Sequence, residues 1–453
     1  MLSNTRTLSR PKTAAIATLG CKANQYDSSA IEDMLLAGGF LVVDFSGPAD
    51  AYIINTCTVT GGTNSQSRAV IRKARKMNPD AVVIVTGCYA QMSPDEVKNI
   101  DGVDYILGNP EKDRVLECLE KGKGRQYASP APLAGAKDFG APLTLRAFSS
   151  GGRARVNLKV QDGCDRACSY CIIPKARGRS RSLPIETLEK EVALLVQKGY
   201  KEIILTGIHL GAYGKDLPKA SSVCEVIRMV RRFDNACRFR ISSLDPDEVT
   251  GEFIGLLASS KNICNHMHLP LQSGDDTVLG KMRRAYTKDL FADRVQKLAA
   301  LVKDISIGVD VIAGFPGEGE REFENTYSLL EALPVSYIHS FPYSKRDGTV
   351  AVSLPGQVQL AVIKERCMRL KVLDAHKRLA FYRRFEGAIA EAVFEASADA
   401  KTGLFKGKTK NYMPVFVATP FAAKKLLTVR LGRATAEGFA GTIYLTDGQI
   451  KNN

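Results

Sequence analysis

Cys164, Cys168 and Cys171 stand in the spacing C-x3-C-x2-C within residues 163–171. Three thiolates on so short a loop suit an iron–sulfur cluster. Three protein ligands on a four-iron cluster leave one iron open to a cofactor or substrate. A structural zinc wants four ligands, and no fourth Cys or His lies nearby in sequence. Zinc and plain structural cysteines remain the alternatives on spacing alone. A second trio is spread more widely. Cys21, Cys57 and Cys88 follow the apolar runs 14–19, 51–55 and 82–86. Ligands bind beyond the carboxyl ends of parallel strands, so three such strands would deliver three thiols to one edge. Cysteines of an ordinary core would fall inside the strands instead, which favours a three-thiolate metal site.

The elements follow from the patterning. The three runs are short and β-prone, and helical patterns at 26–37 and 66–77 separate them, which implies a parallel sheet with crossovers. Residues from about 121 to 152 carry scattered Gly, Pro and Ser with little periodicity and read as a linker. Alternation resumes with strands expected at 156–161, 202–206, 239–243, 266–271, 307–313 and 337–343. Helices are expected between them, at 185–198, 222–233, 248–258, 287–303 and 320–332. Six βα repeats suggest a barrel or partial barrel, with a doubly wound sheet as the alternative. The cysteine triplet follows the first of these strands, at the barrel face where active sites sit. A basic run at 359–384 reads as a helix with a solvated face. Beyond it, β-rich pieces at 388–394, 413–418, 426–431 and 441–445 suggest a small antiparallel barrel with lysine-rich loops, Lys401, Lys406, Lys408 and Lys410 among them. The expected fold class is thus α/β. Its parts are an N-terminal domain over 1–122, a linker over 123–150, a central barrel over 151–380 and a terminal barrel over 381–453.

Composition sets the partners. In 453 residues there are 63 Lys plus Arg against 48 Asp plus Glu, a net charge of +15. Such a surplus suits a polyanion, and nucleic acid supplies one through counterion release. A hydrophobic fraction of 45% excludes a wholly disordered chain. No run of 18 apolar residues occurs, which excludes a membrane-spanning helix. Residues 14–21, preceded by Arg6, Arg10 and Lys12, superficially resemble a lipoprotein signal, but the apolar part is short and continues into strand and helix. Eleven cysteines without a credible export signal point to metal binding or catalysis in the reducing cytoplasm.

The C-x3-C-x2-C spacing, with Tyr170 before its last Cys, resembles the signature of the radical S-adenosylmethionine (SAM) enzymes. The match extends over essentially the whole chain, which is similar to the methylthiotransferases of that group. Thr18-Leu19-Gly20-Cys21 with Asn24 and Asp27, Asn55-Thr56-Cys57 and Thr86-Gly87-Cys88 match the family's N-terminal domain. Residues 161–164, 172–174, 177–178 and 269–274 match its central barrel, and the tail from about Arg384 resembles its TRAM domain, an RNA-binding β-barrel. The resemblance implies two 4Fe-4S clusters. One is on Cys164, Cys168 and Cys171 with SAM on its open iron; an auxiliary one is on Cys21, Cys57 and Cys88. One SAM would donate a methyl group to sulfur, and a second would yield the 5′-deoxyadenosyl radical, so that C–S–CH3 replaces C–H. Tyr170, Gly207, Ser242, Ser243 and Gly314 fall where the family contacts SAM.

Residues 240–246 and 337–344 look most like the subgroup that acts on N6-threonylcarbamoyladenosine, the tRNA nucleotide 3′ of the anticodon. Lys345 and Arg346 are candidates for its threonyl carboxylate, with plain phosphate contact as the alternative. The implied partners are the tRNA anticodon arm and an electron donor such as a flavodoxin or ferredoxin. Competing readings are a methylthiotransferase for isopentenyl-adenosine or for a ribosomal-protein aspartate, and a non-catalytic iron–sulfur redox sensor that binds RNA. Ser180, where several family members have Glu, departs from the isopentenyl-adenosine pattern. No general acid or base is assigned. His209, His266 and His268 read as structural. Cys118, Cys224, Cys237, Cys264 and Cys367 read as buried thiols.

Overall fold

The computed structural model describes residues 12–124, 154–234, 236–400 and 402–444. Most of the expected linker, and Lys401, lie outside them. The chain forms two compact units. The first comprises residues 1–149 with Ile172–Arg179, and the second comprises the rest.

The first unit is built on five parallel strands, β1 (Thr13–Thr18), β2 (Leu41–Val43), β3 (Ala51–Thr56), β4 (Val82–Gly87) and β5 (Tyr105–Leu107), in the order β2-β1-β3-β4-β5. Two strands, β2 and β5, were not expected; three residues each are too few to show a period. β1, β3 and β4 are neighbours in register, with Thr18 opposite Asn55 and Asn55 opposite Thr86. Both faces of the sheet are covered, by Tyr52, Ile54, Val83 and Val85 on one side and Ile53, Ile84 and Tyr105 on the other. Burial on both faces explains the near-continuous apolar runs.

The second unit begins with β6 (Arg155–Asp162), β7 (Arg181–Ser182), β8 (Glu202–Gly207) and β9 (Arg238–Ile241), in a sheet ordered β7-β6-β8-β9. A three-stranded parallel sheet follows: β10 (His266–Gln272), β11 (Ser306–Ala313) and β12 (Tyr337–Pro342). Backbone bonds from Phe239 N to Asn262 O and from Cys264 N to Phe239 O, both 2.7 Å, connect the two sheets. One face is apolar throughout and carries Ile203, Leu205, Phe239, Ile241, Met267, Leu269, Ile307 and Val309, all buried. The other face alternates with it and is mostly polar, with Arg155, Glu202, Arg238, Arg240, His266, His268 and Asp310 beside Ile204 and Ile312. The helix Leu360–Arg383 runs beside β12, and the Asp374 carboxylate accepts the β12 amide of Ile338 at 2.7 Å. That bond covers a strand edge. The helix is less solvated than its charge suggested, because Arg366 is buried against Glu318 at 2.8 Å and Arg369 pairs with Glu320.

The tail closes into a five-stranded barrel, β13 (Ile389–Ala398), β14 (Phe405–Thr409), β15 (Pro414–Val417), β16 (Leu426–Thr435) and β17 (Gly438–Ile443), ordered β13-β14-β15-β17-β16. Strand β14 was missed, since KGK hides its alternation. One pair, β15 with β17, is parallel, so the barrel is not purely antiparallel. Its core holds Phe394, Met413, Val415, Leu431 and Phe439, with Phe381 and Tyr382 from the preceding helix.

Candidate functional site

The aligned ends of β1, β3 and β4 put Cys21, Cys57 and Cys88 on one edge of their sheet. Cys21 precedes the helix Lys22–Ala37, Cys57 leaves β3, and Cys88 opens a short helix after β4. Two glycines make the edge tight. Gly20 (φ +95°) lies so close to Cys57 that a Cβ would come within 2.6 Å of its Sγ. Gly87 (φ +94°) packs on the Thr56 carbonyl, which a Cβ would meet at 2.4 Å. Both are positions where only glycine fits without strain. Asn24 Nδ2 ties the loops together by donating to Leu19 O and Thr56 O at 2.8 and 2.9 Å. Cys57 and Cys88 are buried while Cys21 is exposed. Burial, with a smaller push from Cys88 and Cys21, raises the Cys57 thiol to about 11. Three thiols gathered at one edge, two of them buried, are a donor set that a cationic iron centre would satisfy by drawing them into the thiolate form.

The segment Ile172–Arg179 belongs to this same unit. Arg177, fully buried, donates to Asn24 Oδ1 at 2.5 Å and to Asp27 at 3.3 Å. Lys112 reaches Asp27 at 2.5 Å. Asn109 Nδ2 lies 3.6 Å from Cys88 Sγ and 2.7 Å from Ala176 O. Asn24 and Asp27 therefore have structural partners that their place in the sequence did not reveal.

In the second unit, Cys164, Cys168 and Cys171 follow β6 on one loop. Arg284 Nη1 donates to Cys168 Sγ at 3.2 Å, and the Arg166 amide to Cys164 Sγ at 3.4 Å. Hydrogen bonds of this kind tune iron–sulfur centres, so these sulfurs too fit a cluster. Arg284 also pairs with Asp245, and Arg166 with Asp247 at 2.5 Å. His209 Nε2 contacts Glu248 at 2.6 Å. Burial opposes a charged His209, but hydrogen bonds to Cys164 and Glu248 raise it to about 9. None of Arg166, Arg284 or Glu248 stood out in the sequence, being isolated charges in βα loops.

The residues singled out for SAM are placed as follows. Gly207 ends β8 against Gln161, whose Oε1 a Cβ would meet at 2.8 Å. Gly314 (φ +78°) lies under Ile363, which leaves no room for a Cβ, and its amide donates to Glu318 at 2.8 Å. At both, the close approach is made by the protein itself. Ser242 follows β9 and is buried; Ser243 beside it is exposed. The Tyr170 ring packs among Val278, Met282 and Phe315. Lys345 is exposed and Arg346 half-buried in the turn after β12. His266 and His268 are buried on the polar face of β10.

Comparison with known proteins decides the family. Residues 13–108 match the family described as uncharacterized protein family UPF0004, and residues 158–330 match the radical SAM superfamily. A threonylcarbamoyladenosine tRNA methylthiotransferase of Bacillus subtilis is 40% identical over 93% of this chain and 94% of its own length. The chain belongs to the radical SAM tRNA methylthiotransferases. Another relative with the same description, from Aquifex aeolicus, is 38% identical over 82% of this chain and 90% of its own. A tRNA-2-methylthio-N(6)-dimethylallyladenosine synthase of Fusobacterium nucleatum is 32% identical over 88% and 92%. Among solved structures, the radical SAM methyltransferase TsrM of Kitasatospora setae shares the fold, with TM-score 0.56 at 15% identity over 76% of this chain and 77% of that one. As a radical SAM methylthiotransferase, the protein is a transferase that uses SAM and 4Fe-4S clusters. Among the described residues, no helix is long and apolar enough to cross a membrane.

Proposed function

We propose that this methylthiotransferase converts N6-threonylcarbamoyladenosine, 3′ of the anticodon, to its 2-methylthio derivative. The observation that carries the reading is the 40% identity, over nearly the full length of both chains, to a relative named for that nucleoside. Relatives named for dimethylallyladenosine stand at lower identity. In this reading residues 1–122 carry the auxiliary cluster on Cys21, Cys57 and Cys88. Residues 151–380 carry the SAM-binding cluster on Cys164, Cys168 and Cys171. When bound, the clusters and SAM supply the radical and the methylthio group. The chain's own part is to grip, orient and shield. Tyr170, Gly207, Ser242, Ser243 and Gly314 border the SAM position, and Lys345 and Arg346 meet the threonyl carboxylate.

The net charge of +15 supports a tRNA partner. So does the surface of the terminal barrel, residues 381–453 in this reading. There Lys406 lies over Phe416, Lys425 over Phe421 and Arg430 over Tyr444, and such cation–aromatic pairs suit stacked bases and phosphates. A flavodoxin or ferredoxin would supply electrons, in the cytoplasm.

Nucleoside mass spectrometry of tRNA from cells lacking the gene tests the substrate. Loss of the methylthio group from threonylcarbamoyladenosine is expected. Its persistence, with loss from isopentenyl-adenosine instead, would overturn the reading. Formation of 5′-deoxyadenosine by the reduced protein with SAM rejects a non-catalytic sensor.

A further inference from the structure

The polar face of β10, β11 and β12 holds a cluster that neither sulfur site uses. In register, Asp310 stands opposite His339, and Gly308 opposite Tyr337. His268 Nε2 lies 2.9 Å from Asp310 Oδ1, and His339 Nδ1 lies 3.4 Å from the same oxygen. Burial would raise the Asp310 carboxyl, but the two imidazoles outweigh it and hold the group well below the carboxylate range. Behind them, the Tyr337 hydroxyl contacts His268 Nδ1 at 3.1 Å and His266 Nε2 at 2.8 Å. The Tyr337 ring can cross β11 only because residue 308 is glycine; a Cβ there would lie 1.9 Å from Cζ. Tyr337 thus orients His268 from behind, and His268 and His339 share Asp310, with the Tyr337 ring 5.0 Å from that of His339, as in preorganised recognition sites.

The cluster is deep at one end and open at the other. The side chains of His268, Asp310 and His339 are 11%, 25% and 47% exposed. Phe341, two residues further along the same face of β12, is 41% exposed, while Ile338 on the opposite face is 3% exposed. The His339 and Phe341 rings are 6.5 Å apart and nearly perpendicular. An exposed phenyl ring beside an oriented imidazole, with Ile312 of β11 opposite it, is an uncovered apolar surface next to a directed polar group. That pairing suits a base drawn out of its stack, which needs an aromatic surface for the ring and hydrogen bonds for its edge.

We propose that His339 and Phe341 form the substrate-reading strip of this enzyme. Phe341 packs on the purine, and His339 hydrogen-bonds the carbamoyl or hydroxyl group of the N6 substituent. One same-face step along a strand is about 6.6 Å, which separates a ring contact from a contact to a substituent on that ring. Asp310, His268 and Tyr337 are positioning residues acting through His339. The inference rests on the threonylcarbamoyladenosine reading and names the residues that distinguish that nucleoside from plain adenosine.

The test compares two tRNAs with the cluster-loaded protein, one carrying threonylcarbamoyladenosine and one carrying unmodified adenosine at that position. Dissociation constants are measured for wild type, His339→Ala, His339→Gln and Phe341→Ala. Wild type is expected to prefer the modified tRNA. His339→Ala should cut that preference roughly 10-fold, the value of a hydrogen bond to a buried polar group, and His339→Gln should restore part of it. Phe341→Ala should weaken both tRNAs. Thermal melts of each variant report folding, and His339→Gln keeps the test valid if the alanine variant unfolds. A His339→Ala protein with the wild-type preference overturns the inference and marks the cluster as an internal ion pair. A wild type without any preference fails the substrate reading instead.

Discussion

The ring of Tyr412 packs on the ring of His266, with centroids 4.4 Å apart and the planes tilted by 32°. Tyr412 lies in the turn between β14 and β15 of the terminal barrel, in a left-handed conformation (φ +69°), and His266 is the first residue of β10. The Arg240 guanidinium covers the same tyrosine at 4.9 Å, and Arg240 donates to Thr409 O and Lys410 O, both at 3.1 Å. Arg238 donates to Lys408 O at 2.7 Å. One hairpin turn of the terminal barrel therefore seats on the amino-terminal ends of the radical SAM strands, opposite the end that carries the cysteine loop.

Glu202 is the anion under this seat. It is fully buried and binds Arg240 Nε at 2.8 Å and Arg238 Nη2 at 2.6 Å, with Arg155 at 3.8 Å. Glu202→Ala should destabilise the second unit by about 3–5 kcal/mol, because it strands buried cations. Urea denaturation measures the loss.

The same residue sets a pH dependence. Burial would raise the Glu202 carboxyl, but Arg240 and Arg238 outweigh it and hold it far below its ordinary 4.5. A depressed acid stabilises the fold fully above its unfolded value, and that contribution is lost as pH falls through the folded value. Stability should therefore decline below about pH 4.5 with a slope that Glu202→Gln reduces. Melting temperatures of both proteins between pH 3 and 7, on the order of the carboxylate range, check this.

Lys408 points the other way. Burial, together with Arg155, Lys406 and Arg240, pushes its ammonium well below the usual lysine value. Its Nζ sits 4.2 Å over the Tyr412 ring. Lys408→Met keeps the stem and removes the charge, and should raise stability by about 1 kcal/mol. Calorimetry detects the change.

Gly308→Ala should displace the Tyr337 ring from β11. Overpacking of this sort costs about 1–3 kcal/mol, and the hydrogen bonds of Tyr337 to His266 and His268 would be lost with it. Thermal melting reports the cost, and imidazole NMR signals report the lost contacts.

Iron content tests the two trios separately. The reconstituted protein should hold about eight irons, and alanine at Cys21, Cys57 and Cys88, or at Cys164, Cys168 and Cys171, should leave about four. Eight irons retained by either variant would remove that trio from the ligand set.

Much of this was legible before any coordinates. Three apolar runs each followed by a cysteine, and the triplet after the first strand of a second alternating segment, are local properties of the chain. The parallel sheet with helical crossovers followed from them, but not the order of its strands. The short strands β2 and β5 did not, because three residues carry no period. Strand β14 did not, because its lysines mask the alternation. Arg166 and Arg284 were invisible as cysteine partners, since nothing in a single charge announces the sulfur it will meet. His339 and Phe341 were quoted only as part of a resemblance, although the alternation Tyr337-x-His339-x-Phe341 beside Gly308-x-Asp310 was a signal that could have marked one shared face.

Alone, then, the amino-acid order determined the longer strands and helices, the cysteine that follows each of three apolar runs, the C-x3-C-x2-C triplet and the basic charge, because each is a local or compositional property of the chain. Only the tertiary structure decided which polar faces meet, that Glu202 anchors arginines bonded to the β14–β15 turn, and that Asp310 holds two imidazoles. Those relationships join strands up to some 170 residues apart. They depend on how the sheets pair and close, and neither periodicity nor spacing encodes that.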